Sequence, residues 1–388
     1  MPKTKSVAIL MNLSWIYYRR IIRGVSRFVQ STGSWLLYVE ENPADKMPSF
    51  ADWSGEGLIV DADDRRIADA ISQLSGPLVA IGALASEDIE RLGISTVKTD
   101  DKIIAEWAAD HLLGKGITNF AYCGMRTRAL DRWIEIRRDS FCQRIAEHGY
   151  RCAVFTGRRY APRRWDLLQA ELQQWLAGLA KPVGIMACND SRGRHLLEAC
   201  RKLGLNVPDD VAVVGVDDDE LMCELAIPPL SSIAQAAEEI GYQAAQLLDH
   251  FMRGRRRRPT HITVQPTCLV PRQSTDMVAV DDPIVSGALR FIRQHATERI
   301  GVPDVVRHLD VSRSTVETRL KQHLGRTVHD EIQRLRLDVA RRLVTTSDLP
   351  LHVIAERSGF SSIHYMSAVF QRELGHPPGH LRRRAGRR

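Results

Sequence analysis

From residue 7 to about residue 270 the apolar positions recur in one rhythm. A short, nearly unbroken apolar run is followed by a longer stretch in which apolar residues return every three or four positions. The runs Val7–Met11, Leu36–Val39, Gly57–Val60, Leu78–Ile81, Phe120–Cys123, Ala153–Phe155, Val183–Ala187 and Val211–Val216 have the length and composition of strands buried on both faces. Ile16–Gln30, Ile67–Leu74, Lys102–Leu113, Trp133–His148, Trp165–Leu176 and Arg192–Leu203 carry the period of amphipathic helices. Strands alternating with helices predict doubly wound parallel sheets. Twisted open sheets seldom exceed about ten strands, so the pattern predicts two α/β lobes with a cleft between them rather than one wide sheet.

The rhythm stops at Pro271–Pro283 (PRQSTDMVAVDDP), and afterwards only helical periodicity remains. The predicted helices are Ile284–Thr297, Pro303–His308, Arg313–His323, Val328–Thr345, Leu351–Arg357 and Ser362–Leu374. The predicted organisation is a two-lobed α/β domain over 1–276, a linker at 277–283 and an all-α domain over 284–388. One lobe is expected from 1–100 plus 236–260, the other from 101–235 plus 261–276.

Two stretches of the helical part share one grammar. In 302–325, Pro303 suits the start of a helix, Asp310-Val311 interrupts it, Ser312 is an N-cap for a second helix and Gly325 ends that helix. In 350–375, Gly359 makes the turn and Ser361 or Ser362 caps the second helix. A short polar helix after a tight turn is the geometry that enters a DNA major groove, so two helix-turn-helix units are predicted over 303–324 and 351–374. By position Ser314, Glu317 and Thr318 face bases in the first unit and His364 and Ser367 in the second, while Arg313, Lys321 and Arg372 reach phosphates. The bland alternative for each is a solvated helix residue.

Charge supports a polyanionic partner for this part alone. The formal net charge is +7, and residues 281–388, with 19 Lys+Arg against 12 Asp+Glu, hold all of it. Arg255–Arg258 reads either as a DNA-backbone patch or as a charged loop, and the Arg-rich end either as a basic arm or as a solubilising tail. Seven cysteines with no C-x-x-C pair suit a reducing compartment. Met1–Asn12 lacks the long apolar core of a secretory signal, and no run approaches the roughly 18–20 apolar residues of a membrane helix, so a cytoplasmic protein is expected.

The helical part resembles the AraC family in Leu320–Thr327, in R-L-x-x-A-x-x-L-V at Arg336–Val344, in I-A-x-x-x-G-F-S at Ile354–Ser361 and in the ending Val369–Arg382. That resemblance implies two recognition helices held on one linker helix, so as to enter successive major grooves about 34 Å apart. It also implies activation of transcription with RNA polymerase as a partner.

The α/β part places polar residues where open sheets bind ligands, beyond the carboxyl ends of the strands. Asn12 follows the first strand, Asp61 and Asp63 the third, Asn189-Asp190 and Asp217-Asp218 later ones, and Gln235 the run S-S-I-A. A polyol needs acceptors, donors and a flat apolar wall. Trp15 is a candidate wall; Trp133 is a second, with a place in the core as the stronger alternative. On these residues alone the ligand is a small polyol. Residues 189–195 (NDSRGRH), 214–218 (VGVDD), 231–241 (SSIAQAAEEIG) and 269–275 (LVPRQST) resemble the LacI and ribose-binding-protein superfamily, whose likeness assigns Asn12, Arg137, Asn189, Asp217 and Gln235 to a sugar. The order of a LacI-like sensor ahead of an AraC-like domain, with stretches 131–133, 194–200, 233–245 and 312–319, is similar to xylose-responsive regulators. The resemblance implies D-xylose as ligand and a homodimer paired through the first lobe. No cofactor or metal is expected. A sugar-processing enzyme or a sugar carrier is the rival class; no G-x-S-x-G, G-x-x-x-x-G-K-[ST] or H-E-x-x-H run is present to support an enzyme.

Overall fold

Each apolar run predicted as a strand is a strand. They are β1 (Lys5–Leu10), β2 (Trp35–Glu40), β3 (Gly57–Asp61), β4 (Leu78–Ile81), β6 (Asn119–Cys123), β7 (Cys152–Phe155), β8 (Val183–Ala187) and β9 (Val211–Val216). Four more complete the sheets: β5 (Ser95–Thr99), β10 (Ser231–Ala234), β11 (His261–Val264) and β12 (Cys268–Val270). The computed structural model describes residues 4–32, 35–41, 53–63, 67, 76–83, 93–125, 132–157, 165–254, 259–277 and 282–384. The chain divides into two units, Met1–Met277 and Val278–Arg388.

The first unit holds two six-stranded sheets, ordered β11-β5-β4-β3-β1-β2 and β12-β10-β9-β8-β6-β7. All neighbours are parallel except β10 and β12. Helices α1 (Ile16–Thr32), α2 (Asp101–Leu113), α3 (Arg132–Glu147), α4 (Trp165–Ala177), α5 (Asp190–Lys202), α6 (Glu220–Leu225) and α7 (Ala237–Met252) cover the faces. Apolar layers lie on both sides of each sheet, which is why β3, β8 and β9 are buried at every position rather than alternating. Against the first sheet α1 and α7 touch backbone to backbone. A Cβ on Gly24 would lie 1.9 Å from Glu238 O, and one on Gly241 1.9 Å from Ile21 O, so both positions need glycine.

One predicted boundary is corrected. The second lobe is expected to include 261–276, but β11 pairs with β5 over His261–Val264 and so belongs to the first sheet. The chain therefore crosses between lobes after β5, after β10 and after β11, and only β12 returns to the second sheet. A four-residue edge strand does not carry its partner's identity in its own side chains, which here alternate exposed and half-buried. The helix expected at Ile67–Leu74 falls outside the described residues except at Ile67, as does the Arg255–Arg258 run and the last four residues of the chain.

The second unit is helical: α8 (Pro283–His295), α9 (Val302–Leu309), α10 (Arg313–Leu324), α11 (Val328–Thr346), α12 (Leu351–Arg357), α13 (Ile363–Leu374) and α14 (Pro378–Arg384). Two apolar cores form, one under α8 to α10 and the start of α11, the other under the end of α11 and α12 to α14. Arg336, buried on α11, joins them: Nε donates to Ala296 O and Nη2 to Glu298 O and Ile300 O, each at 2.8 Å. Gly359 sits against the same turn with φ of +78°, and a Cβ there would lie 2.6 Å from Ala296 O.

Candidate ligand cleft and nucleic-acid interface

In the first sheet the strand order reverses between β1 and β3, and in the second between β6 and β8. The crevice beyond the carboxyl ends of such neighbours is where open α/β sheets take ligands. Asn12 follows β1, and Asp61 ends β3 with Asp63 just beyond. Asn12 Oδ1 accepts from Ser14 N at 3.0 Å and from Ser14 Oγ at 2.7 Å, an Asx turn that starts α1. Asp61 Oδ1 accepts from Asp63 N at 2.9 Å, and Asp63 Oδ1 from Ala83 N at 3.0 Å, so the two carboxylates are held on backbone amides of adjoining strand ends. Trp15 is half-buried at the head of α1.

On the second lobe Arg137 is 3% exposed although it carries a full charge. Its Nε donates to Asp101 Oδ1 at 2.8 Å and its Nη1 to Cys188 O at 2.7 Å, and Trp133 stacks on the guanidinium at 4.6 Å. Trp133 also packs against the second-lobe core, the alternative weighed for it above. Asn189 caps α5, its Oδ1 accepting from Arg192 N at 2.9 Å, and its Nδ2 is buried without an acceptor. Its neighbour Asp190 is tied inward, accepting from Ser232 Oγ at 2.6 Å and from Asp219 N at 2.8 Å, so of this pair only Asn189 has a donor left over.

Asp217 and Gln235 are in direct contact. Gln235 Nε2 donates to Asp217 Oδ1 at 2.5 Å, and Gln235 Oε1 accepts from Thr99 Oγ1 at 2.6 Å. Tyr17 OH lies 3.2 Å from Thr99 Oγ1. A chain of polar contacts thus runs from α1 through the end of β5, in the first lobe, to the ends of β10 and β9 in the second. Burial pushes the Asp217 carboxyl up to about 6, with the Arg137 charge and the Gln235 hydrogen bond pulling it back. Asp217 also holds a φ of +113°, a strained conformation for a residue with a Cβ, and Asp218 one of +49°. Arg20 of α1 spans the lobes to hold this turn, with Nη1 donating to Asp217 O at 2.7 Å and Nη2 to Asp218 O at 2.8 Å. Asp217 and Gln235 are therefore in contact, with the Arg137 charge acting on Asp217, while Asn12 and Trp15 stand between the end of β1 and α1 in the first lobe. Thr99, Tyr17 and Arg20 were missed by sequence reasoning, because nothing local marks a threonine at a strand end or the inner face of an ordinary amphipathic helix.

In the second unit the two helix-turn-helix pairs repeat each other atom for atom at their caps. Ser312 Oγ accepts from Thr315 N at 3.2 Å to start α10, and Ser362 Oγ from Tyr365 N at 3.1 Å to start α13. Gly325 and Gly375 end these helices in the left-handed conformation. Val316 and Leu320 of α10 and Met366, Val369 and Phe370 of α13 are buried, which turns the opposite faces outward. Arg313, Ser314, Thr318 and Lys321 are exposed on α10, as are His364 and Arg372 on α13; Ser367 is half-buried. Arg372 is engaged with Glu373 at 2.6 Å. Glu317 departs from the outward face expected of it: it is half-buried and accepts from Val328 N at 3.2 Å, capping α11. The linker helix starts close enough to take that carboxylate, a tertiary contact its own helix period does not reveal. Gln322, not singled out in the sequence, is exposed beside Lys321.

Residues 6–102 match the XylR N-terminal domain family, residues 109–275 the periplasmic binding protein-like domain family and residues 305–384 the helix-turn-helix domain family. The chain is 33% identical over 381 residues to the xylose operon regulatory protein of Escherichia coli (strain K12), covering 98% of this chain and 97% of that one. It is 32% identical over 377 residues to the protein of the same name from Haemophilus influenzae, covering 97% of each. Among solved structures, that of the xylose-binding transcription activator xylR is similar over 98% of both chains, with a TM-score of 0.83 and 33% identity. A LacI family transcriptional regulator from Enterococcus faecium with bound ribose shares the fold of the sensor, at 18% identity and a TM-score of 0.57 over 71% of this chain.

Proposed function

The chain belongs to the xylose operon regulatory protein family, and we propose that it is a D-xylose-dependent activator in which sugar bound between the sensor lobes changes how paired AraC-type domains are held on promoter DNA. The observation that carries this reading is the polar chain Tyr17–Thr99–Gln235–Asp217, which crosses from one lobe to the other at the hinge strands beside the buried Arg137. A hydroxylated ligand meeting Asp63 and Asn12 on one side and Arg137, Asn189 and Asp217 on the other is held by both lobes at once. It stabilises the closed arrangement to the extent that it binds that arrangement better than the open one.

The output lies in the exposed faces of α10 and α13. Ser314 and Thr318, with His364 and Ser367, read bases, and Arg313, Lys321 and Arg372 contact phosphates. A homodimer supplies the paired DNA-binding domains, and RNA polymerase is the partner that an activator recruits. The sugar leaves unchanged, because the buried carboxylates serve as hydrogen-bond acceptors and the relatives of the chain are regulators. No described helix is long and apolar enough to cross a membrane, and a DNA partner puts the work of the protein in the cytoplasm. Calorimetry of the full chain against D-xylose, other pentoses and hexoses tests the ligand. D-xylose binds tightest on this reading, and saturable binding of a hexose with none of D-xylose would replace it.

A further inference from the structure

One buried charge of the second lobe has no acceptor among the described residues. Arg192 lies on the first turn of α5, directly after β8, and is 5% exposed. Its Nε and Nη1 are buried with no acceptor. Its charge acts on the thiols of Cys123 and Cys188, which end β6 and follow β8, the two strands that flank the reversal of strand order in the second sheet. Cys188 N donates to Cys123 O at 2.9 Å, so these two strands stay paired to the crevice itself. The first turn of α5, which carries Arg192, follows directly on β8, one of the two strands at the switch point of this sheet, where a ligand is to be expected.

A buried guanidinium without an acceptor is costly, and native structures rarely keep one idle. The neighbouring groups do not supply the acceptor. Burial holds the Cys188 thiol up at about 11 and the Cys123 thiol higher still, so both are neutral near pH 7. Arg137, on the other side of Cys188, already takes Asp101 and the Cys188 carbonyl. Beside Arg192, the buried Asn189 Nδ2 also lacks an acceptor, because Asn189 spends its oxygen on the cap of α5. Arg192 Nε and Nη1 and Asn189 Nδ2, at the first turn and the cap of the same helix, are thus buried donors without an acceptor.

We infer that Arg192 is a further ligand-binding residue of the sensor, donating hydrogen bonds together with Asn189 Nδ2 to hydroxyl or ring oxygens of the bound sugar. The inference rests on the sugar-sensor reading above and deepens it. The second lobe then offers the sugar the donors of Arg192 and Asn189 beside the Asp217 acceptor, a mixture suited to hydroxyls, which do both.

The test compares the full chain with Arg192→Met and Arg192→Lys, by calorimetry with D-xylose and by thermal unfolding without sugar. Loss of a charged hydrogen bond to the ligand predicts D-xylose affinity lowered roughly 10- to 100-fold in Arg192→Met, with a smaller loss in Arg192→Lys. Without sugar, Arg192→Met is expected to unfold at or above the wild-type temperature, since an uncompensated buried charge has been removed. Arg192→Met binding D-xylose within twofold of wild type overturns the assignment, and so does a marked fall in its sugar-free unfolding temperature, the mark of a structural residue. A wild-type chain that binds no pentose overturns the sensor reading and the assignment with it, so the two failures are distinguishable.

Discussion

Gln235 Nε2 donates to Asp217 Oδ1 across 2.5 Å, and through this contact the hinge strand β10 is coupled to the most strained backbone of the cleft. The carboxylate is a good acceptor only when ionised, and burial has raised its titration from the ordinary 3.8 to about 6. The sign follows from linkage: a carboxyl whose folded value is raised favours folding fully below pH 3.8, and that contribution is lost as pH rises through 6. Sugar binding runs the other way, because it needs the ionised form. D-xylose affinity is expected to fall about tenfold between pH 7 and pH 5. Calorimetry across that range checks this, with Asp217→Asn expected to bind weakly and to show a flat profile.

Arg20 joins the lobes without lining a strand end. Its two hydrogen bonds to Asp217 O and Asp218 O tie the first lobe to the second, so Arg20→Ala is expected to lower the population competent to bind. Apparent D-xylose affinity should drop several-fold, about 3- to 10-fold for the loss of one to two net hydrogen bonds, with little change in unfolding temperature. An affinity equal to wild type would show that the two contacts do not bias closure.

Arg137 and Asp101 are both buried, and removing one strands the other. Arg137→Met is expected to cost about 3–5 kcal/mol of sensor stability, measured by chemical denaturation. Burial already raises the Asp101 carboxyl, against the pull of Arg137, so Asp101→Asn added to Arg137→Met should recover part of the loss.

In the helical unit the corresponding weak point is the Arg336–Gly359 junction. Arg336→Ala leaves Ala296 O, Glu298 O and Ile300 O without their donor and should destabilise this unit by about 2–4 kcal/mol. Gly359→Ala forces a side chain into a left-handed φ against Ala296 O and should cost about 1–3 kcal/mol. Both variants are expected to lose DNA binding while still binding sugar, since neither residue belongs to the sensor unit. Thermal unfolding and DNA gel shift separate the two effects.

On α10, Lys321 and Thr318 are both exposed, and the proposed roles of phosphate contact and base reading make different predictions for them. Lys321→Ala should weaken binding to all DNA sequences and lower the slope of log affinity against log salt by about one. Thr318→Ala should leave the slope and relax preference at one base position. Equal effects of the two variants on specific and nonspecific DNA would remove the distinction.

The pattern of apolar runs was enough for the layered architecture because β3, β8 and β9 are buried at every residue and admit no other reading. It failed at β5, whose sequence STVKT is polar at four of its five positions yet mostly buried. Ser95 Oγ accepts from Thr260 N there, a partner 165 residues away. The strand-end positions of the proposed cleft were legible where a polar residue follows an apolar strand, as at Asn12, Asn189 and Asp217. Thr99, 136 residues from Gln235, is identified only by folding. Arg192 had a local signal, an arginine three residues beyond an N-cap asparagine after a buried strand, but its lack of an acceptor is a property of the packed structure. Glu317 shows the reverse: helical position turned it outward, and the start of α11 drew it back.

On the proposed function one sugar controls one DNA-binding unit through the lobes of the sensor. Titrating D-xylose against the full chain on labelled promoter DNA, with footprint and apparent affinity read together, tests it most directly. D-xylose, at concentrations that saturate the cleft, is expected to change the affinity or the extent of the footprint, and Asp217→Asn to abolish the change. A footprint and affinity that stay the same while calorimetry shows the sugar bound would contradict it.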